Sequence, residues 1–473
     1  MRDPVSKNLV TDPYGKAEGF KNQYESVFTQ DDGVLPYLRR LENNNPHNQF
    51  IITRKMISYE LSKLKPHSSP GPDEVHPFVL KTFSKQLSVP LHYILCKSVA
   101  EACIPNLWKV AHITPVYKNK GSRYDYVNYR PVSLTSHVSK TMERIMTDWL
   151  LDELCKLDFI SPHQHGFVAS RSVCTNLLAC LFDWVDALDK RDNVDVIYLD
   201  IAKAFDTVSH VKLFHKLDHL SLPTKLVSWI KDFLSYRYQR VKVGSVLSES
   251  SNVTSGVPQG TVIGPILFLI YINDIVDSVT IAKIQIFADD TKLYLRYGRN
   301  ETSSLQDDLN NVSVWLDTWQ LSVSASKCTV LPLALTGHRT CEEYLLNGNP
   351  VPICDSSVRD LGVYISSDLV PRYHVNKLTS NAFSRAGLIF KCFKTRDQLF
   401  LKRMFNTYVR PLVEFATPVW SPYNLNLIMS VERVQRNFTS KIPNLKHLDY
   451  PSRLAALNMD SLELRRLKYD LIE

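Results

Sequence analysis

The sequence predicts an α+β protein, because strand patterns and helix patterns alternate irregularly along the chain. Residues 194–201 form an apolar, β-branched run, which predicts a buried strand that ends at Asp200. Residues 281–295 alternate between apolar and polar on both sides of Asp289 and Asp290, which predicts a β-hairpin with the two aspartates at its tip. Helical spacing dominates the last third of the chain. This irregular order favours α+β over a doubly wound parallel sheet.

The N-terminal half mixes helical spacing with short strand patterns. Residues 1–50 are polar and mixed, and we expect a linker-like segment there. Helical spacing covers residues 52–64 and 79–102, and a Pro-Gly-Pro turn lies between them. Residues 110–117 predict a strand, a basic loop follows at 118–123, and residues 143–157 have helical periodicity.

Further elements follow the strand that contains Asp200. Residues 213–233 predict a helix, and residues 241–253 predict a hairpin leading to Gly256. Residues 305–319 place apolar side chains on one helix face. Residues 358–365 indicate a short strand or hairpin, and the chain then has helical spacing to about residue 440.

The positive charge of the chain is concentrated in two tracts. The formal net charge is +8, which by itself says little. Residues 109–144 contain seven Lys or Arg against two acids, and residues 372–410 contain nine against one. Two basic tracts flanking acidic residues suit a bound polyanion. Two solvated helix faces would give the same composition, and charge alone leaves both interpretations open.

The cysteines and the apolar runs bear on the class of protein. None of the nine cysteines forms a CxxC pair, and no His/Cys cluster has the spacing of a zinc site. We expect free thiols, with Cys174 and Cys180 packed in a core. The longest apolar run, residues 262–276, is too short to span a bilayer. Without a signal peptide, the sequence predicts a soluble intracellular protein with no membrane partner.

The three aspartates suit phosphoryl transfer. Two divalent ions about 3.5–4 Å apart can stabilise the attacking and leaving oxygens of such a reaction, and magnesium prefers a few carboxylates with phosphate and water. If the strand of Asp200 pairs with the hairpin of Asp289 and Asp290, we expect the three to share two ions. The alternative is an ordinary solvent-exposed Asp-Asp turn.

A series of motifs resembles one enzyme family. LDIAKAFDTVSH (199–210), SGVPQGTVIGPILFLIYINDI (255–275) and FADD (287–290) are similar to motifs A, B and C of reverse transcriptases, in that order. Residues 128–134, with 110–118 before them, resemble the finger motifs of the non-LTR retrotransposon branch, and 68–77 its extra N-terminal motif. Residues 164–177 match as well, 319–331 resemble motif D, and 360–365 resemble the primer grip. The ordered series, over roughly residues 50–440, is far more specific than any single block.

The resemblance implies a right-hand polymerase with fingers, a palm of antiparallel sheet packed on helices, and a helical thumb. The expected divisions are a linker-like segment (1–50), the N-terminal extension and fingers (51–195), the palm with motif B finger elements (196–345), the primer-grip region (346–372), the thumb (373–440) and a truncated C-terminal segment (441–473). Family members usually carry an upstream endonuclease, so we expect a polymerase excerpt, a truncated element or an incomplete gene model.

The resemblance also implies roles for the acidic residues. Asp200 and Asp289 would be the main ligands of two Mg²⁺ ions, with Mn²⁺ as a substitute, and Asp290 would complete the set. Lys327 would be a proton donor to pyrophosphate. Asp206 is interpreted as structural, capping the following helix.

Other motif positions would contact the nucleotide. Phe205 matches the steric gate that would clash with a 2′-hydroxyl, although core packing is its alternative role. Gln259 matches a residue that lines the nucleotide pocket. Gly256 and Gly260 would allow close approach of the backbone to nucleotide and template. Two basic finger residues, Lys118 and Arg130, would bind the triphosphate.

The expected partners are an RNA template, a DNA primer, their RNA–DNA hybrid and deoxynucleoside triphosphates. Leu361 and Gly362 would form the primer grip. Basic residues of the thumb would contact phosphates without reading sequence. The candidates are Lys377, Arg385, Lys391, Lys394, Lys402 and Arg403.

The sequence therefore predicts an RNA-directed DNA polymerase of a non-LTR retrotransposon, acting in the nucleus by family resemblance. One alternative is a transposon remnant that binds nucleic acid and no longer polymerises. Another is an RNA-directed RNA polymerase, which shares the palm. The intact aspartates argue against the remnant, and the bulky Phe205 with the Pro-Gln-Gly block (258–260) argues against the RNA polymerase.

Overall fold

The computed structural model describes residues 1–2, 9–38, 50–298, 301–334 and 342–471. They divide into two compact units that interleave along the chain. The first unit comprises Met1–Pro162, Ile201–Ser278 and Asn311–Val323, and the second comprises His163–Asp200, Val279–Asn310 and Ser324–Glu473. Within the described ranges, no helix has the length and apolar character needed to cross a membrane.

The helices of the described residues are numbered in chain order. They are α1 (Pro13–Glu25), α2 (Arg54–Ser62), α3 (Pro77–Thr82), α4 (Ser84–Ala100), α5 (His137–Lys156), α6 (Val173–Asp189), α7 (Ala204–Thr207), α8 (His210–His219), α9 (Thr224–Leu234), α10 (Gly264–Ile272), α11 (Leu305–Thr318), α12 (Arg372–Cys392), α13 (Gln398–Met404), α14 (Arg410–Glu414), α15 (Thr417–Trp420), α16 (Leu425–Ser440), α17 (Tyr450–Leu457) and α18 (Leu462–Asp470). A π-helical turn, Phe405–Val409, connects α13 to α14.

The strands are numbered in the same way. They are β1 (Val110–Tyr117), β2 (Tyr129–Leu134), β3 (Asn193–Leu199), β4 (Arg237–Val243), β5 (Val246–Leu247), β6 (Ser251–Val253), β7 (Lys283–Phe287), β8 (Asp290–Tyr297), β9 (Thr329–Leu333), β10 (Leu345–Leu346), β11 (Asn349–Pro350), β12 (Ser357–Asp360) and β13 (Val363–Ser366). The mixture of helices with mostly antiparallel sheets confirms the predicted α+β class.

The first unit contains a five-stranded sheet covered by α1. Its order is β2-β1-β4-β5, with β6 also paired to β4. Phe20 and Tyr24 of α1 pack with Ala111 and Ile113 of β1 in a small core. This corrects the prediction of a linker-like segment for residues 1–50, of which 3–8 and 39–49 lie outside the described residues. Helix α1 was missed because its few apolar side chains stand among many polar ones.

Two predicted helices are each interrupted. The segment 213–233 is divided between α8 and α9, because Pro223 disfavours helical backbone at the residue before it. The segment 79–102 is divided between α3 and α4 at Phe83, whose φ and ψ of −103° and 29° leave the helical region. The predicted strand at 110–117 and the helix at 305–319 are confirmed to within a residue.

The second unit is built on a four-stranded sheet of order β7-β8-β3-β9. The central strand β3 is antiparallel to both β8 and β9. The sheet shares one apolar core with α6 and the C-terminal helices, in which Trp184, Val196 and Phe405 are buried. Cys180 lies in this core and Cys174 packs against it, as predicted.

A stability prediction follows from Asp195, which lies on β3 and is fully buried. One of its oxygens accepts a hydrogen bond of 2.5 Å from the Tyr344 hydroxyl. Burial raises the pKa of Asp195 to about 6. Because this exceeds the value of about 3.9 in the unfolded chain, the folded state binds more protons between pH 4 and 6, and stability falls as pH rises through that window.

Asp195→Asn is therefore expected to increase the free energy of unfolding by about 1–3 kcal/mol at pH 8, with the gain disappearing towards pH 4. Urea denaturation at both pH values measures it. Asp317→Asn, at an exposed position of α11, is the control. An equal gain for Asp195→Asn at both pH values would contradict the assigned pKa.

Candidate active site

The pairing of β3 with β8 brings the three predicted aspartates to one end of the sheet. The register runs from Asn193 opposite Tyr297 to Leu199 opposite Thr291. Asp200 and Asp290 are the next residues outward on their chains. Asp290 also pairs with Phe287 across the hairpin, so that the turn consists of Ala288 and Asp289. The predicted hairpin is confirmed, with the difference that Asp290 begins β8 rather than occupying the tip.

A strained turn is supported by the segment that precedes α6. Ala288 has a φ of +59°, which an alanine rarely adopts. The side-chain oxygen of Gln164 accepts hydrogen bonds from the backbone N–H of Ala288, at 2.9 Å, and of Gly166, at 2.8 Å. A Cβ on Gly166 would lie 2.4 Å from the Ala288 nitrogen. The motif at 164–177 was recognisable in the sequence, but nothing in its pattern indicated a role for these two residues.

The carboxylates at this sheet end affect one another electrostatically. Burial, together with the negative charges of Asp289, Asp360 and Asp200, raises the pKa of the Asp290 carboxyl to about 6, although the Lys292 ammonium opposes the shift. The Nζ atom of Lys327 lies 3.9 Å from an Asp200 oxygen, and both side chains are more than half exposed. An exposed ion pair of this kind contributes little to stability. Lys327 is thus near the aspartates, and its predicted role as a proton donor stays a prediction.

The chemistry of these donors fits a hard divalent cation, although their arrangement does not form a finished site. Among the described residues, no group of three or more His, Cys, Asp or Glu side chains is placed to hold a metal ion. Asp200, Asp289 and Asp290 nevertheless supply carboxylate oxygens, which magnesium prefers. Like charges held together are costly unless a cation neutralises them. The shared ions therefore remain a prediction that the donor set supports.

Gln259 in the first unit is held by Asp206. Its amide nitrogen donates to both carboxylate oxygens, at 2.9 and 3.0 Å. Burial raises the pKa of Asp206 to about 6, while Gln259, Lys203 and Lys118 oppose that shift. The prediction that Asp206 caps the following helix was wrong, because the Ser209 side chain accepts the bond from the first turn of α8.

Two glycines of the same loop approach protein backbone closely. Gly256 and Gly260 have φ angles of +84° and +102°, which favour glycine. A Cβ would lie 2.6 Å from the Asp206 carbonyl oxygen at Gly256, and 2.8 Å from the Ser133 carbonyl oxygen at Gly260. Both residues therefore have a structural reason to be glycine, besides the predicted approach to nucleotide and template.

Phe205 is half-buried, and its ring stacks on Phe268 of α10 with centroids 4.5 Å apart. This interaction bears out the core-packing alternative for Phe205. The role of a steric gate is compatible with it and stays a prediction.

The two predicted triphosphate ligands project from one hairpin of the first unit. Val116 lies opposite Arg130 in the β1–β2 register. Because alternate residues of a strand project to the same side, Lys118 and Arg130 share a face. Both side chains are exposed, and Lys118 also donates a hydrogen bond of 3.0 Å to the Val127 carbonyl. Their binding role stays a prediction.

The predicted primer grip is a tight hairpin in the second unit. Strands β12 and β13 pair up to Asp360 and Val363, leaving Leu361 and Gly362 as the turn. Both residues have positive φ, +46° and +97°. A two-residue type I′ hairpin turn requires positive φ at both of its central residues. A Cβ on Gly362 would lie 3.1 Å from the Phe415 ring.

The predicted phosphate-binding residues of the C-terminal helices differ in exposure. Five of them are exposed: Lys377, Arg385, Lys391, Lys394 and Arg403. Lys402 is half-buried and donates a hydrogen bond of 3.2 Å to the Asn458 carbonyl. Exposure suits contact with a backbone phosphate, and it is equally the ordinary state of a surface lysine.

Comparison with known proteins adds independent information. Residues 117–364 match a family model described as reverse transcriptase (RNA-dependent DNA polymerase). The chain is 25% identical, over 86% of its length, to an RNA-directed DNA polymerase from mobile element jockey of Drosophila melanogaster. It is 27% identical, over 86%, to a probable RNA-directed DNA polymerase from transposon BS of the same species.

A third relative, a probable RNA-directed DNA polymerase from transposon X-element of Drosophila melanogaster, is 25% identical over 75% of the chain. The matched regions span only 40–46% of the length of these three relatives. The resemblance drawn from the motifs is confirmed by these similarities.

Gly166→Ala tests the support of the turn. The added methyl group would collide with the Ala288 backbone, so we expect the Ala288–Asp289 turn to move and the protein to lose about 1–3 kcal/mol of stability. Gly387→Ala on α12 is the control, because a Cβ there has no neighbour within 4 Å. It should be neutral or slightly stabilising. Chemical denaturation measures both, and equal midpoints for the two variants would contradict the close approach.

Proposed function

Because the chain belongs to the reverse transcriptase family, we propose that it acts as an RNA-directed DNA polymerase of a non-LTR retrotransposon and copies the RNA of its element into DNA. The observation that carries the proposal is the β3–β8 pairing, which brings Asp200 beside Asp290 at the end of a buried sheet. A rigid sheet end suits carboxylates that must hold ions in fixed positions.

The proposed chemistry assigns a task to each group. Asp200, Asp289 and Asp290 bind divalent ions, Mg²⁺ or in its place Mn²⁺, through carboxylate oxygens. When bound, such ions stabilise the attacking and leaving oxygens of nucleotidyl transfer. The Lys327 ammonium lies 3.9 Å from an Asp200 oxygen and would donate a proton to pyrophosphate.

The nucleotide residues are assigned to the first unit. Lys118 and Arg130 bind the triphosphate, because a highly charged anion requires cations besides the metal ions. Phe205 excludes the 2′-hydroxyl of a ribonucleotide. Gln259 and Gly260 line the nucleotide pocket.

The right-hand organisation belongs to the same proposal. Residues 51–195 would supply the fingers, 196–345 the palm, 346–372 the primer grip and 373–440 the thumb. Thumb cations would bind phosphates of the RNA–DNA hybrid without reading its sequence. The chain spans less than half of the relatives' length, so the activity, substrates and partners of a whole element protein, and its action in the nucleus, are part of what we propose.

Two other activities are distinguishable by one assay. A transposon remnant would bind a primed RNA template without extending the primer. An RNA-directed RNA polymerase would extend it with ribonucleotides in preference to deoxynucleotides. Extension of a DNA primer on an RNA template, with and without Mg²⁺ and with each nucleotide class, separates the three.

Asp289→Asn is expected to reduce the extension rate by at least about 100-fold, because a neutral amide is a much weaker ligand for Mg²⁺. The affinity for the primed template should change by less than about threefold, since phosphate contacts dominate that affinity. Single-turnover extension and filter binding measure the two quantities.

The matched control for this experiment is Asp317→Asn, which makes the same chemical change at an exposed position of α11. It should extend at the rate of the unsubstituted protein. Full activity of Asp289→Asn would remove the metal assignment, and inactivity of the unsubstituted protein with Mg²⁺ would favour the remnant.

Phe205→Ala is expected to admit ribonucleotides, because a smaller side chain would leave room for a 2′-hydroxyl. The ratio of kcat/KM for a deoxynucleotide to that for its ribonucleotide should fall by about 10-fold or more, equivalent to a steric penalty of at least about 1.4 kcal/mol. Phe268→Leu removes the stacking partner while leaving Phe205 in place, and should preserve most of the selectivity. Unchanged selectivity in Phe205→Ala would show that the residue only packs.

A further inference from the structure

The hairpin formed by β12 and β13 packs on the apolar core of the second unit through Val363 and Ile365, and polar contacts also join it to that unit near its base and near its turn. It forms its own two-stranded sheet, separate from the β7-β8-β3-β9 sheet. Near its base, the Ala334 N–H donates to the Ser367 carbonyl at 3.3 Å. Near its turn, the Asp360 carboxylate bonds to the Lys292 ammonium on β8, at 2.6 Å. Besides this apolar packing, the polar link between the turn end and the strand that carries Asp290 is a side-chain ion pair rather than a strand ladder.

The ion pair is almost completely buried. The side chains of Lys292 and Asp360 are 4% and 6% exposed. The Lys292 ammonium also lies 6.0 Å from the centre of the Trp184 ring on α6. Lysine and aspartate are almost never buried this deeply unless they are paired. Each charge therefore depends on the other for its position.

The pair lies between the carboxylates at the start of β8 and the turn proposed to hold the primer end, and a polymerase must align these two features. Lys292 follows Asp290 by two residues on β8, so both side chains project to the same face of the sheet. Asp360 directly precedes the turn residue Leu361. One bond thus connects a position beside the catalytic carboxylates to a position beside the turn that would hold the primer end.

The energetics favour a role in positioning over one in stability. Removing two charges from water is costly, and a well-packed apolar pair of similar size is often at least as stable. A short bond between charged groups has strong directional preference, which an apolar contact lacks. Such a bond can fix a hairpin at a defined distance from a strand.

We propose that Lys292 and Asp360 are positioning residues that fix the Leu361–Gly362 turn relative to Asp290 and so set where the primer 3′ end lies. The inference rests on the proposed polymerase function. It adds to it a pair that touches neither metal nor nucleotide. Its effect is on the alignment of the primer terminus, and not on how tightly the hybrid binds.

The test replaces the ion pair by an apolar pair, Lys292→Met with Asp360→Leu. Single-turnover extension per bound hybrid should fall by at least about 10-fold, because misplacement by about 1 Å can cost 100-fold in rate. The Kd for the hybrid should stay within about threefold, and the KM for the nucleotide should change less than kcat. A 2-aminopurine base at the primer 3′ end should change its fluorescence in the complex.

The control removes another ion pair, Lys109→Met with Asp232→Asn, in the first unit; its charged groups are 2.7 Å apart, and its side chains are 7% and 26% exposed. Asparagine is chosen there because Asp232 also accepts a hydrogen bond from the Ile104 N–H. The control should extend at the unsubstituted rate once the fraction of folded protein is accounted for. If the protein with the apolar pair does not fold, Asp360→Asn replaces it in the test, because asparagine preserves the shape of the aspartate side chain. Asp360→Asn should lower the extension rate by at least about threefold.

The outcomes separate this inference from the proposed function. A folded Lys292→Met, Asp360→Leu protein with the unsubstituted extension rate and unchanged 2-aminopurine fluorescence overturns the positioning role. The same result for Asp360→Asn overturns it where the apolar pair does not fold. If the unsubstituted protein binds the hybrid without extending it, the polymerase proposal fails, and the fluorescence of the primer end alone decides whether the pair positions it.

Discussion

The antiparallel pairing of β3 with β8 is the interaction on which the candidate site depends. Seven consecutive residue pairs define its register. Side chains alternate between the two faces of a strand, so a shift of one residue would move every side chain to the opposite face. It would also separate Asp200 from Asp290 along the sheet end. The same register places Lys292 opposite Tyr198, in the interior. Burial of β3 in the sheet interior therefore determines both the core and the arrangement of the acidic residues.

Both units use side-chain hydrogen bonds to hold segments of the candidate site that their backbones alone would not fix. In the second unit, Gln164 stabilises a left-handed alanine beside Asp289. In the first, Asp206 restrains Gln259 in a loop whose glycines approach neighbouring carbonyl groups. These restraints come from residues distant in sequence, so the rigid geometry of each segment is a property of the folded unit. Strain of this kind persists only where the surroundings over-determine the conformation.

The sequence predicted secondary structure correctly where the pattern that determines an element is local. The strand ending before Asp200 and the hairpin around Asp289 were predictable from alternation and apolar runs, and the order of the motifs indicated the family. Helix α1 was missed because its buried face is small. The break before α9 was missed although Pro223 was a usable signal. The Asp206–Gln259 bond joins positions 53 residues apart and the Lys292–Asp360 pair joins positions 68 apart. No periodicity in one sequence connects such pairs, since they arise only from tertiary packing.

The bond between Asp206 and Gln259 also determines the polarity that the glutamine presents. A carboxylate accepts hydrogen bonds and donates none while it is ionised. The amide nitrogen must therefore face Asp206, as observed, and the carbonyl oxygen points the other way. A molecule that meets this side chain encounters an acceptor, which favours a hydroxyl or amino group over a carbonyl. Asp206 thus determines which hydrogen-bonding groups Gln259 prefers as partners, although Asp206 itself does not stand at that position.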